Sequence, residues 1–185
     1  MVNLDKAVCP VWMAYTFDNP LRGLIHSPQE MFKPYLRDGM RVLDIGCGLG
    51  FFSLSMAKHV GERGRVTAID LQAGMLKIVE KRAGRRGLGS RITTHQCGST
   101  ELGIKTKADF ILTFWMIHET PDYQSLINQI YELLEPGGIY YLADPKLHVS
   151  AKFFQEAIDY AISKGFRVKS TPRVRFSHAI VLQKQ

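Results

Sequence analysis

Apolar and polar positions along this chain follow two periods. Short, nearly continuous apolar runs occur in "MRVLDIG", "GRVTAID", "ADFILTF" and "GGIYYLAD", and a weaker run in "RITTHQ". Such runs predict strands covered on both faces. Between them apolar residues recur at intervals of three and four, over Gly50–Val60, Gln72–Arg86, "DYQSLINQIYELL" and "AKFFQEAIDYAISKG". That spacing predicts amphipathic helices. An earlier helix opens at "SPQEMFKPYL", where Ser27 can cap, Pro28 suits the first turn and Glu30 completes an S-x-x-E box. The turn "EPGG" is expected to precede the fifth strand, and Gly165 to cap the last helix. "FRVKST" and "SHAIVLQ" lie close enough in sequence for an antiparallel hairpin. Strands alternating with helices imply a mainly parallel sheet covered on both faces, in one domain over residues 1–185. Ligands on such sheets bind beyond the carboxyl ends of the strands, where the strand order reverses.

Composition narrows the class. The chain is 45% hydrophobic and 22% charged, ordinary for a globular protein and unlike a disordered one. Its longest apolar run, Phe110–Ile117, is far shorter than the roughly 20 residues that span a bilayer. The start, "MVNLDKAVCPVW", lacks the basic-then-apolar pattern of a secretory signal. Cys9, Cys47 and Cys97 show no C-x-x-C spacing; they fit a reducing cytoplasm, and no metal site is expected. The net charge of +7 raises the question of nucleic acid. Lys77, Lys81 and Arg85 share one helical face, opposite Met75, Leu76, Val79 and Ala83. That reads as a solvated outer face, with a phosphate-tracking surface as the alternative.

The first strand runs into Gly46, Gly48 and Gly50, three glycines in five positions. A dinucleotide fingerprint needs G-x-G-x-x-G, but Phe51 stands where its third glycine would be, followed by Phe52. Two phenylalanines at the helix start crowd the approach of a pyrophosphate. Asp70, ending the second strand, could accept hydrogen bonds from ribose hydroxyls of either a dinucleotide or S-adenosylmethionine.

The wider pattern separates the two. "VLDIGCGLGFFS" is similar to the first motif of class I S-adenosylmethionine-dependent methyltransferases, "VTAIDLQAGML" to the second, and "DFILTFWMIHET" to the fourth. "LLEPGGIYYLAD" resembles the turn and strand that follow. The resemblance runs from Arg41 to Asp144 and is nearest to the ubiquinone/menaquinone-biosynthesis type. It implies a Rossmann-like three-layer sandwich with seven strands in the order 3-2-1-4-5-7-6, the last antiparallel, and no large lid domain. It also implies S-adenosyl-L-methionine as cofactor and S-adenosyl-L-homocysteine as product. Gly46, Cys47, Gly48 and Gly50 would pass close to the methionine portion, and Asp44 would receive its ammonium. Asp70 would hold the ribose and Leu71 would wall the adenine. Cys97 and Gly98 stand where the family usually has an acidic residue, which suggests backbone contacts there. Thr113 and Phe114 would lie beside the transferable methyl.

The acceptor is less constrained. "FWMIHE" replaces the [N/D]-P-P-[Y/F] of amino-methylating enzymes, which favours a small, apolar or soft-nucleophile acceptor. His118 is the best candidate base, with Tyr15, Glu119 and Asp144 behind it. The first 26 residues read either as a segment folding over the site, Trp12 and Tyr15 inward, or as a strap along the core edge. Cys9 and Cys47 invite comparison with arsenite methyltransferases, though their spacing differs. A nucleic-acid methyltransferase using the basic faces, and a non-catalytic domain that binds the cofactor, stand as alternatives.

Overall fold

The structure is a computed structural model, and it describes residues 26–185. The expectations for Cys9, Trp12, Tyr15 and the covering segment therefore lie outside the described residues. Five strands alternate with helices: α1 (Pro28–Phe32), β1 (Arg41–Ile45), α2 (Phe51–His59), β2 (Arg65–Asp70), α3 (Ala73–Arg85), β3 (Ile92–Gln96), β4 (Ala108–Phe114), α4 (Tyr123–Leu133) and β5 (Leu134–Pro145). Helix α5 (Ala151–Ser163) and the hairpin β6 (Phe166–Ser170) and β7 (Ser177–Lys184) follow. One turn of 3-10 helix, Ile117–Glu119, leaves β4.

The sheet order is β3-β2-β1-β4-β5-β7-β6, as the motif pattern implied. β7 runs antiparallel to both of its neighbours and slots between β5 and β6. Alternation along each strand divides the core in two. Val42, Phe110, Leu112, Tyr141 and Ala143 face α1, α2 and α3. Leu43, Ile45, Ile111, Tyr140 and Leu142 face α4 and α5. Met75, Leu76, Val79 and Ala83 are the buried stripe of α3, and Lys77, Lys81 and Arg85 are exposed on its outer face.

Two local expectations fail. Ser27 sits at the N-cap of α1, but its side chain makes no capping hydrogen bond, so the S-x-x-E box does not close. A five-residue helix packed through Phe32 depends on burial more than on its cap. The "EPGG" turn does not precede the fifth strand either: β5 already pairs at Leu134, and the pairing then jumps from Ala108–Leu134 to Phe110–Ile139, so that these residues form an irregularity within the ladder. The N-caps of α4 and α5 do close through side chains. Asp122 accepts from the Ser125 amide at 2.9 Å, and Ser150 from the Phe153 amide at 3.1 Å.

The order reverses beside β1, with β2 on one side and β4 on the other. The glycine loop after β1 and the "FWMIHE" segment after β4 consequently open at the same end of the sheet. No helix among the described residues is long and apolar enough to cross a membrane.

Candidate active site

The loop after β1 is shaped by β2. The amides of Gly46 and Cys47 both donate to the Ile69 carbonyl, at 2.9 and 3.0 Å. The Asp70 carboxylate accepts from the Gly48 amide and, through its other oxygen, from the Gln72 amide, each at 2.9 Å. Arg82, reaching from α3, donates to the Leu49 carbonyl at 2.9 Å. Burial raises the pKa of the Asp70 carboxyl, and the amides of Gln72, Gly48 and Leu71 pull it back only in part. Asp70 therefore joins loop and strand while each of its oxygens keeps acceptor capacity for a ligand.

Asp44 lies one layer deeper, 2% exposed, and accepts from the Ser53 hydroxyl of α2. This bond ties the helix after the loop to the strand before it. Gly50 has φ +81°, and a Cβ there would fall 3.0 and 3.2 Å from the two methyls of Val79. Gly50→Ala is therefore expected to cost about 2–4 kcal/mol, from the left-handed backbone and the clash together. A thermal melt should show it as a fall in Tm of roughly 5–15 °C; a Tm within 2 °C of the parent would disprove the packing argument. Gly48 is different: among the described residues a Cβ at that position would meet nothing within 4 Å, so the loop presents bare backbone there.

Leu71 follows Asp70 at the rim, with its carbonyl accepting from Gln96 at 3.1 Å. The Cys97 amide donates to the Asp70 carbonyl, and the Gly98 amide to that of Glu101. These residues border the same opening. Both thiols are held protonated. Burial, then Asp44 and Asp70, push Cys47 well up; burial, then Asp70, push Cys97 up. Thiolate chemistry at Cys47 is thus disfavoured.

At the end of β4, Phe114 packs on Phe52 at 4.4 Å between centroids and stacks on Trp115. Thr113 precedes it with its hydroxyl buried against that of Tyr140, at 2.8 Å, so what it offers the opening is backbone. Met116 lies against Gly46, where a Cβ would fall 2.8 Å from it; the two loops pack directly on each other. Trp115 has φ 60°, a left-handed conformation that bulky residues avoid. It is held by its amide on the Ala143 carbonyl and its indole N–H on Ser177, both at 2.8 Å, and by His26 edge-on to its ring. Strain fixed in this way is characteristic of functional sites.

Behind this aromatic group stands a polar chain that the sequence reading did not assemble. Asp144, fully buried near the end of β5, accepts from His118 Nδ1 at 2.9 Å. His118 Nε2 lies 3.1 Å from Nε2 of His148, which is exposed. The second Asp144 oxygen has no hydrogen-bond partner among the described residues. Burial lowers the His118 pKa, but the Asp144 hydrogen bond and charge, with Glu119, raise it further, and the net shift is upward. Burial also raises that of Asp144, against the opposing pull of His118. With Nδ1–H turned to the carboxylate, the lone pair of neutral His118 sits on Nε2, on the side that faces His148. Glu119 lies next to His118 in the same turn, whereas Asp144 orients the imidazole. Pairing of Phe114 with Ala143 across β4 and β5 brings His118 and Asp144 together. That signal was present once the strand order was fixed.

Known proteins resemble this chain in sequence and in fold. The family model of a methyltransferase domain matches residues 36–174. A demethylmenaquinone methyltransferase of Geobacillus kaustophilus is 27% identical over 118 residues, which are 64% of this chain and 50% of that one. The chain thus spans about half the length of the curated relatives it matches. A SAM-dependent methyltransferase of Aquifex aeolicus superposes with TM-score 0.85 at 22% identity, over 96% of this chain and 100% of that one. The [4+2]-cyclase SpnF does so with TM-score 0.72 at 16% identity, over 84% and 80%. The last two likenesses establish the fold, which hosts more than one chemistry. The family match covers most of the chain, including β1 to β6, and the chain belongs to the methyltransferase domain family.

Proposed function

We propose that the chain binds S-adenosylmethionine and transfers its methyl group to a small, aromatic or quinol-like acceptor. The observation that carries the cofactor is the glycine loop: amide-rich, closed by Asp70, and open at Gly48 among the described residues. Bound there, the sulfonium supplies an electrophilic methyl. The chain's own residues do the rest. Asp70 fixes the loop and offers carboxylate oxygens to a diol, and Asp44 places a negative charge beneath the loop. The group formed by Phe114, Trp115, His26 and Met116 walls off water and selects a flat apolar acceptor. His118, its Nδ1–H held by Asp144, takes the proton from an acceptor hydroxyl on its Nε2 lone pair, and His148, in the tautomer protonated on Nδ1, accepts that proton on its own Nε2 and releases it to water. The name of the Geobacillus relative supports a quinone-type acceptor.

Calorimetric titration with S-adenosylmethionine, S-adenosylhomocysteine and NAD tests the first step. Micromolar affinity for the first two and none for NAD is expected; binding of NAD alone would sink the reading. Transfer of a labelled methyl to naphthoquinols and catechols, against thiols and transfer RNA, then tests the acceptor. Labelling of the RNA alone would favour the basic face of α3 as the substrate surface instead. Binding without transfer to any class would leave a cofactor-holding domain.

A further inference from the structure

Where β5 ends and β7 begins, the molecule exposes what a protein surface usually hides. Leu147 is 88% exposed and Phe176 50%. They sit side by side because the Lys146 amide donates to the Phe176 carbonyl at 2.9 Å. Phe176 holds φ 60°, a conformation that Asn, Asp or Gly would adopt with less strain, yet its ring is not buried in return. The Arg175 guanidinium lies over that ring, 5.1 Å from its centre. The surface continues into a groove of about 760 Å³ between α5 and the β6–β7 hairpin, with exposed Ile162 and Val168 along it. Lys146, Arg173 and Arg175 line this groove, and no carboxylate among the described residues does. Apolar side chains flanked by cations, on a chain of net charge +7, match the chemistry of a bilayer: acyl chains beneath an anionic surface.

We propose that this face docks onto the surface of an anionic lipid bilayer, with Leu147 and Phe176 entering the headgroup layer and Lys146, Arg173 and Arg175 on the lipid phosphates. The patch adjoins the candidate active site. His148 follows Leu147, and Ser177 follows Phe176 and holds Trp115. Docking turns that opening toward the membrane, whatever acceptor the site takes.

Co-sedimentation with phosphatidylglycerol vesicles, phosphatidylcholine vesicles and a fluorescent RNA at matched salt tests the proposal. The chain should partition onto phosphatidylglycerol, weaken as salt rises, and ignore phosphatidylcholine. Reversal of two cations in K146E/R173E should lower partition at least twentyfold, about fivefold for each cation. L147D/F176D should lower it at least tenfold; Asp tolerates the left-handed position of Phe176, so the melt should be unchanged. Absence of binding to phosphatidylglycerol, equal binding by both variants, or retention by RNA with the vesicles left unbound would each overturn it.

Discussion

Asp70→Ala is expected to weaken S-adenosylmethionine binding roughly 30- to 1000-fold. The carboxylate bonds two amides that shape the loop, and on the reading above it also accepts from the ribose. Losing a charged acceptor while leaving buried N–H groups unanswered costs about 2–4 kcal/mol, and each 1.4 kcal/mol is about tenfold. Asp70→Asn keeps one oxygen acceptor and should lose less. Calorimetry on both variants, with circular dichroism melts to confirm folding, reads the effect. An Asp70→Ala protein that is folded and binds within threefold of the parent would remove Asp70 from the cofactor site.

The second large effect is expected at His118. His118→Gln should lower kcat by about 10² to 10⁴ while leaving cofactor affinity unchanged. Its pH dependence gives the sharper test. A base works only when unprotonated, so kcat/KM should rise with pH and level off above the His118 pKa. The Asp144 hydrogen bond lifts that pKa above its ordinary value of 6.5. Asp144→Asn removes the charge, so the midpoint of the rise should move to lower pH and the plateau should drop. His148→Gln should cost about tenfold or less, since bulk water can replace a relay at the surface. Parent-like turnover by His118→Gln would mean that the acceptor arrives already nucleophilic and the histidine chain is structural.

Much of the scaffold was legible because burial on both faces leaves a continuous apolar signature. "RVLDI", "RVTAID" and "ADFILTF" became strands with bounds close to those expected. What pattern alone missed depended on contacts between distant segments. The irregularity that holds "EPGG" inside β5 is a matter of its pairing with β4, which no local propensity records. His118 stood out by residue type, but its partner Asp144, 26 residues away, is visible only after β4 and β5 are set side by side. His148 sits in a surface turn with no periodicity to mark it. Trp115 and Phe176 were beyond reach for a different reason: propensities assign bulky side chains to right-handed or extended backbone, and both violate that rule. Asp44 and Asp70 were singled out by position, while the Ser53 and Gly48 bonds that they accept in the structure came from packing.

The place of β7 in the sheet also bears on how the molecule is made. As the protein is synthesised from its N-terminal side, β6 emerges before the strand that separates it from β5. Until Ser177–Lys184 arrive, β5 presents an open edge of unpaired amides and carbonyls, and β6 has no neighbour to pair with. The nascent chain therefore carries an adhesive strand edge until β7 is made, a period in which a chaperone would have much to shield. The same strand brings Ser177 to Trp115. A ribosome that stalled before β7 would leave both the sheet edge and the aromatic wall unfinished.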